Sequence, residues 1–230
     1  MSYFADSLAA AFQLISSFDK EIYQVVANSV SISLIAALIS AFIAIPAGIA
    51  FALNHFSGKH FIQHLLNTLM AMPTVVIGLL LYGLFSRLGP LGQFELLYTP
   101  TAIILAEAIL IFPIMMNLTI VAVTSADPRL VPTLISLGAK PFTLAIHVAR
   151  QTRFAILAAI ITGFGRAIGE VGAAMMLGGN IEGFTRTMTT AIALETSKGE
   201  FETGLALGLL LLLIAFIVNF LLSWLQRERA

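Results

Sequence analysis

The stretch DPRLVPTLISLGAKPFTLAIHVARQTRF, residues 127–154, decides how the chain is organised, because it is a polar segment with its own helix signals between long apolar runs. Asp127 can cap a first short helix, Pro128 suits the first position of that helix, and Gly138 suits its end. Pro141 suits the first turn of a second helix. The sequence therefore predicts two short helices here rather than a flexible loop.

The first of these helices carries an apolar ridge. Leu130, Leu134 and Leu137 recur at helical spacing and Val131 lies beside them, while the segment is basic at both ends. From periodicity alone, two interpretations stay open. The ridge can lie on the lipid surface, as amphipathic helices commonly do, or it can bind another protein.

The runs on both sides of this segment are long enough to cross a bilayer. The chain has 230 residues, of which 59% are hydrophobic and only 10% charged, whereas an ordinary soluble domain is about a quarter charged. A span needs about 20 apolar residues. Five stretches qualify: Val25–Leu53, Phe61–Phe85, Thr101–Thr124, Phe154–Leu177 and Phe201–Leu225. We therefore predict an all-α membrane protein with five transmembrane helices, in which Pro46, Pro73 and Pro113 kink their spans.

The predicted domain layout is simple. Residues 1–20 form an interfacial N-terminal helix, because apolar residues recur there at helical spacing over a run too short for a span. Residues 21–226 form the transmembrane domain, with the loop at about 125–153, and residues 227–230 form a tail. We find no internal repeat and no hydrophilic stretch long enough for a second domain.

The distribution of Lys and Arg predicts the orientation, since these residues are enriched in cytoplasmic loops. One side of the five-span layout has seven of them: Lys59, Arg129, Lys140, Arg150, Arg153, Arg227 and Arg229. The other side has four: Lys20, Arg87, Arg186 and Lys198. We therefore expect the loop and the C-terminus in the cytoplasm and the N-terminus outside.

Composition excludes several function classes. The chain has no cysteine and a formal net charge of zero, which excludes thiolate metal sites and gives no basic surface for nucleic acid. His55, His60 and His64 cluster at the start of a span, where histidines are usually interfacial, so we predict no metal site. No phosphate-binding loop and no nucleophile–base pair stand out. The chain is therefore not expected to be an enzyme or to bind a cofactor itself.

Three charged residues fall inside the predicted spans. Buried charges in a bilayer cost at least a few kcal/mol, so they usually find partners. Arg166 and Glu170 stand one helical turn apart and can pair. At about 1.5 Å per residue, Glu107 and Glu170 both lie roughly 10 Å below the outer boundary. The three side chains can therefore form one cluster.

The sign of this cluster bears on its role. Two carboxyls and one guanidinium repel a doubly negative oxyanion unless one acid carries a proton. We therefore favour a clamp between the third and fourth spans, with a gate in a transport path as the alternative. A small-residue face supports the clamp, because small residues let another helix approach closely. Its members are Gly165, Gly169, Gly172 and Ala173.

The segment LGGNIEGFTRTMTT, residues 177–190, is the best candidate for handling an anion outside the fourth span. Hydroxyls, backbone amides and helix N-termini meet an oxyanion better than carboxylates do. The alternative is an ordinary turn followed by a short helix. The candidate residues for an outer gate or a contact with a binding protein are Asn180, Thr185, Arg186, Thr187, Thr189 and Thr190.

The loop at 127–154 resembles the coupling loop of permeases in binding-protein-dependent ABC importers. Gly138 takes the family's glycine position and Val148 its isoleucine position, whereas 132–134 and 150–151 depart from the pattern. Residues 163–202 resemble the tungstate branch of the molybdate/tungstate permeases more strongly. The resemblance implies the type I ABC importer permease core, in the cytoplasmic (inner) membrane of a bacterium or archaeon.

The same resemblance implies the partners. These are a second copy of the chain, two ATPase subunits that bind ATP and Mg, and an external oxyanion-binding protein that delivers tungstate for import by alternating access. The residues implied in ATPase coupling are Leu130, Leu134, Leu137, Gly138, Ala139, Lys140 and Pro141. The alternatives are molybdate as the main substrate, a secondary transporter that couples to protons through Glu107 and Glu170, and a membrane scaffold that transports nothing.

Overall fold

The structure, a computed structural model, describes residues 2–17 and 19–227, and every regular element in those ranges is helical. A single 3₁₀ turn, Gly92–Phe94, accompanies eleven α-helices within the described ranges. The helices are α1 (Ser2–Ser16), α2 (Lys20–Leu53), α3 (Lys59–Met70), α4 (Thr74–Phe85), α5 (Pro100–Thr124), α6 (Leu130–Ser136), α7 (Pro141–Gln151), α8 (Arg153–Ile168), α9 (Gly172–Gly178), α10 (Met188–Lys198) and α11 (Phe201–Arg227).

Among the described residues, three helices are long and apolar enough to cross a membrane by themselves: α2, α5 and α11. Helix α2 starts at Lys20, earlier than the predicted Val25, because the Asp19 carboxylate caps it by accepting from the Glu21 N–H (2.9 Å) and the Ile22 N–H (3.2 Å). With 34 residues it extends about 50 Å, so part of it projects beyond an apolar layer of about 30 Å.

Two bent pairs of helices are further candidates for a span. Helices α3 and α4 meet at 95°, and α7 and α8 meet at 74°, which gives up to five candidate spans among the described residues if each pair counts as one. In the second pair α8 is the apolar member that follows the loop, whereas α7 lies within the loop at 127–154. The kink predicted at Pro73 is confirmed: it stands just before α4, where proline lacks an N–H and disfavours a helical residue before it. Pro46 and Pro113, by contrast, lie inside continuous helices.

The fourth predicted span, Phe154–Leu177, is not one helix. Helix α8 ends at Ile168, and α9 starts only at Gly172. The break falls on Gly169, Glu170 and Val171, and the Glu170 carboxylate caps the new helix by accepting from the Ala173 N–H at 3.1 Å. Sequence hydropathy missed the break because the run stays apolar on both sides of it.

The core forms where α2 packs along α5. The two backbones approach closely at Gly48, where an added Cβ would lie 2.9 Å from the Thr119 Cβ. Helix α1 packs on α11 through Ala11, which belongs to a buried cluster with Leu207 and Leu210. The apolar residues of α1 divide between two sides, since Phe12 is exposed whereas Ile15 packs against the same cluster. Placement of α1 at the membrane interface stays a prediction.

Candidate functional site

The prediction of two short helices in the loop at 127–154 is confirmed by α6 and α7. The Asp127 side chain accepts from the Arg129 N–H at 2.9 Å, and the first helix starts at Leu130, two residues later than Pro128. Gly138 ends it with φ +77°, while its N–H donates to the Ile135 carbonyl. Pro141 occupies the first turn of α7 as predicted.

The loop is anchored on one side and open on the other. Val148 of α7 is fully buried in a cluster with Ile49, Val123 and Ile156, which ties the loop to α2, α5 and α8. Of the predicted ridge, Leu130 and Leu134 are half-buried, whereas the Leu137 side chain is 77% exposed.

Part of the exposed apolar surface of this loop lies outside the predicted ridge. Phe142, directly after the proline that starts α7, is 78% exposed, and Ile135 is also exposed. We call Ile135, Leu137 and Phe142 the apolar tip. Ala139 is half-buried, and Lys140 and Pro141 are exposed beside it. The presence of an aromatic residue at the start of an otherwise amphipathic helix was the available signal.

The second candidate site lies at the break between α8 and α9. Arg166 Nη1 donates to Glu170 Oε2 at 3.0 Å, so the predicted pair forms. Two more bonds fix the break: the Ala173 N–H donates to Glu170 Oε1, and the Thr189 hydroxyl donates to the Glu170 carbonyl at 2.6 Å. Glu170 thus connects α8, α9 and α10.

Glu107 of α5 approaches the same place from the opposite side. Its carboxyl contacts the Ser33 hydroxyl of α2 and lies within electrostatic range of Glu170. Its Oε2 is buried without a hydrogen-bond partner in the described part of the chain. The ion pairs found among the described residues do not include one between Glu107 and Arg166. The two carboxyls lie within electrostatic range of each other, and the arginine pairs with only one of them.

The predicted small-residue face divides at the break. A Cβ at Gly172 would lie 3.0 Å from Val75 Cγ2, and a Cβ on Gly78 of α4 would lie 3.1 Å from the Ala173 Cα, so this half packs on α4. Gly165 has no neighbour within 4 Å of an added Cβ, and Gly169 meets only carbonyls of its own turn. The α8 half therefore faces away from the rest of the subunit.

The candidate segment at residues 177–190, which we call the outer segment, folds back into the protein instead. All four of its candidate threonines are buried, Thr185, Thr187, Thr189 and Thr190, and so is Arg186. Thr187 forms a capping box with Thr190 at the start of α10. The Thr185 hydroxyl donates to the Gly178 carbonyl at 2.6 Å. In this conformation these hydroxyls bind groups of the chain itself.

The remaining two candidates of that segment differ from the threonines. Arg186 pairs with Glu21 at 2.9 Å and with Glu182 at 3.6 Å, which ties the segment to the start of α2. Asn180 has φ +51°, and its buried Oδ1 has no hydrogen-bond partner among the described residues.

Tyr98 and Ser29 hold the outer segment, and sequence analysis named neither. The Tyr98 N–H donates to the Leu177 carbonyl at 2.7 Å, and the Ser29 hydroxyl accepts from the Met188 N–H at 2.6 Å. A hydrogen bond with the Tyr82 phenol raises the pKa of Tyr98. No local pattern marks either residue, because their partners lie far away in the sequence.

Comparisons with known proteins agree with this architecture. The family model described as "Binding-protein-dependent transport system inner membrane component" matches residues 44–230. The chain is 40% identical over 228 residues to the tungstate uptake system permease protein TupB of Peptoclostridium acidaminophilum, covering 99% of this chain and 100% of that one. It is 37% identical over 227 residues to the protein of the same name from Campylobacter jejuni, covering 99% and 95%.

A solved structure shares the fold at low sequence identity. It is the bacterial alginate ABC transporter in complex with an alginate pentasaccharide-bound periplasmic protein, which matches with a TM-score of 0.73 at 14% identity, over 94% of this chain and 83% of that one. The family match and the full-length relatives carry the assignment beyond the fold. The chain belongs to the family of inner membrane components of binding-protein-dependent transport systems, and it is an ABC importer permease.

Proposed function

We propose that this chain is the permease of an ATP-driven importer that takes tungstate from an external binding protein and passes it to the cytoplasm by alternating access. The observation that carries the proposal is full-length similarity at 40% identity to a tungstate uptake permease. The fold supports it, because the loop of α6 and α7 is anchored at Val148 and presents an exposed apolar tip, which suits a subunit driven by a partner.

The loop of α6 and α7 is the proposed ATPase contact. Its buried side is held by Val148, and its apolar tip is exposed to water, which has a free-energy cost unless a partner covers it. The assembly contains two copies of this chain and two ATPase subunits, which bind ATP and Mg. The chain itself is a transport subunit and binds neither.

The external binding protein docks on the opposite side. The threonines of 185–190 shape this surface from within, because their hydroxyls bind internal groups. Exposed groups beside them, such as Glu182 and Gly183, are the ones that a partner can reach. Thr185 and Arg186 therefore act by holding the outer segment in place, and Asn180 stays a candidate for the outer gate.

The decisive experiment is the ATPase activity of the reconstituted complex with its binding protein loaded in turn with tungstate, molybdate and sulfate. We expect tungstate to stimulate hydrolysis most. Stimulation by molybdate alone would support the importer but show that molybdate, not tungstate, is its cargo. Absence of stimulation by all three oxyanions would refute the proposal.

A proton-coupled secondary transporter is the second candidate, favoured by the buried carboxyls of Glu107 and Glu170. This mechanism predicts tungstate uptake into vesicles driven by a pH gradient without ATP or an ATPase subunit. The ATP-driven importer predicts no uptake under those conditions and uptake once both are supplied.

A further inference from the structure

Arg166 is the accessible member of the intramembrane charge cluster. Its side chain is 40% exposed, whereas that of Glu170 is 3% exposed and residue Glu107 only 2%. Both carboxyls lie inside the subunit, and the guanidinium lies at its surface. The cluster as a whole is net negative, which argues against contact with an anion. The charge that it exposes at the surface of the subunit is nevertheless positive.

The surface around Arg166 differs from a lipid-facing surface. Helix α8 exposes small residues there: Gly165 and Gly169, with Thr162 one turn nearer the cytoplasm. Helix α11, in contrast, exposes bulky side chains such as Leu212 and Phe216. Because an arginine head group inside a span faces protein or water rather than hydrocarbon, this side of α8 faces one of those two.

A cavity leads toward this arginine. It has a volume of about 640 Å³, lies between α5 and α8, and opens among polar groups such as Ser125, Asp127 and Gln151. Its lining ends at Thr162 along α8. Arg166 stands four residues further, a rise of about 6 Å along the helix. The cavity thus runs from the loop side of the subunit to within about one helical turn of Arg166.

The Arg166 guanidinium has N–H donors that Glu170 does not use. Arginine carries five N–H donors in a planar fork that fits oxyanions. Within the described chain, the one hydrogen bond found for it is that from Nη1 to Glu170. Glu170 therefore orients the group, and the remaining donors stay available for a second acceptor.

We propose that Arg166 faces a water-filled translocation path and binds the transported divalent oxyanion on its way through, with Glu170 as its positioning residue. This inference rests on the proposed function for its cargo. Its geometric part, an accessible positive charge beside an aqueous path, does not depend on which oxyanion is carried or on the ATPase.

The test uses the absence of native cysteine. Thr162→Cys in the assembled complex is treated with two water-soluble thiol reagents of equal size, one anionic and one cationic. A unit charge about 6 Å away in water changes each rate about three-fold, in opposite directions, so the anionic reagent reacts about ten-fold faster. Adding Arg166→Gln removes that preference.

Two further variants complete the experiment. Gly165→Cys, at a position with open space around an added Cβ, is the second reporter if Thr162→Cys assembles poorly. Leu212→Cys on α11 is the lipid-facing control and stays unlabelled. Labelling of neither reporter would overturn the inference, because α8 would then face lipid or the second subunit. Equal rates for both reagents would also overturn it.

Transport measurements separate this inference from the proposed function. Arg166→Gln is expected to lower tungstate uptake per ATP hydrolysed by about ten-fold or more, since a lost charged hydrogen bond costs that order of affinity. Arg153→Gln, the same change at the cytoplasmic end of α8, keeps the ratio. A charge preference at Thr162→Cys without any stimulation of ATP hydrolysis by tungstate would refute tungstate as the cargo. The inferred aqueous path beside Arg166 would still hold. An unchanged ratio in Arg166→Gln would overturn the role of Arg166.

Discussion

Single residues at the break between α8 and α9 show how a membrane chain satisfies backbone groups that no helix pairs. Glu170 accepts an N–H of α9 with one carboxylate oxygen and the Arg166 guanidinium with the other, while its carbonyl accepts the Thr189 hydroxyl. In a bilayer an unsatisfied backbone group costs several kcal/mol, so these bonds are needed for the break to exist. One side chain thus serves as cap, ion-pair partner and junction.

Glu170→Gln tests this structural role. The amide keeps the size of the side chain but loses the charge opposite Arg166, and we expect the stability of the detergent-purified complex to fall by about 2–3 kcal/mol with a lower yield. Glu182→Gln is the matched control, because that exposed carboxylate lies 3.6 Å from Arg186 and should change stability by less than about 1 kcal/mol. Normal yield combined with an altered oxyanion preference would contradict the prediction.

Gly179→Ala tests the contact between the outer segment and Tyr98. Gly179 has φ +67°, and an added Cβ would lie 2.7 Å from the Tyr98 ring, which cannot retreat easily because its own N–H is bonded to Leu177. We expect a loss of about 2–3 kcal/mol in thermal unfolding. Gly199→Ala, with φ +84° and open space around the Cβ, carries only the backbone strain, about 1 kcal/mol. Equal effects of the two changes would show that the Tyr98 contact has no weight.

At the scale of helices, hydropathy predicted the positions of the five apolar runs better than the breaks within them. The five apolar runs correspond to α2, the α3–α4 pair, α5, α8 with α9, and α11. Proline chemistry predicted the bend at Pro73, and glycine and proline chemistry predicted the end of α6 at Gly138 and the start of α7 at Pro141, whereas the predicted start of α6 at Pro128 was two residues too early. The break after Ile168 was not predictable, because it depends on bonds from Thr189 and Glu170 that form only after folding.

In the candidate site, too, contacts between residues close in sequence were predictable and contacts between distant residues were not. Pairing of Arg166 with Glu170 was predictable because it is local, one turn along a helix. Burial was not predictable: the threonines after Phe184 appear exposed from composition, yet contacts with α2 and α9 bury them. The exposure of Arg166 depends likewise on which face of α8 the rest of the chain leaves free.

The apolar tip of the loop gives a prediction for α6 and α7 as a unit. Leu137→Asp places a charge in the proposed ATPase contact without touching the buried anchor at Val148, and we expect the affinity for the ATPase subunit to fall about 30-fold or more. Leu88→Asp is the matched control, since that leucine is even more exposed than Leu137 but lies in the loop after α4. Pull-down of the ATPase by each purified variant measures the difference. Loss of binding in both variants, or in neither, would contradict the assignment.

For the whole molecule, charge separates the two ends of the bundle. The ends of α2, α10 and α11 that meet near Arg186 carry many acids, including Asp19, Glu195 and Glu200, whereas the loop side carries Lys59, Lys140 and Arg150. Positive charge in short loops marks the cytoplasmic side. The acidic end also disfavours approach of a free divalent oxyanion, which agrees with delivery by a binding protein.

Orientation is the prediction that joins these observations, and the cysteine-free chain makes it simple to test. We expect a membrane-impermeant thiol reagent applied to intact cells to label Ser197→Cys, in the exposed end of α10, and not Ser136→Cys, at the end of α6. Opening the cells should then expose Ser136→Cys, while the parent chain stays unlabelled throughout. The reverse pattern would place the loop outside, where no ATP is available, and would remove the apolar tip as an ATPase contact.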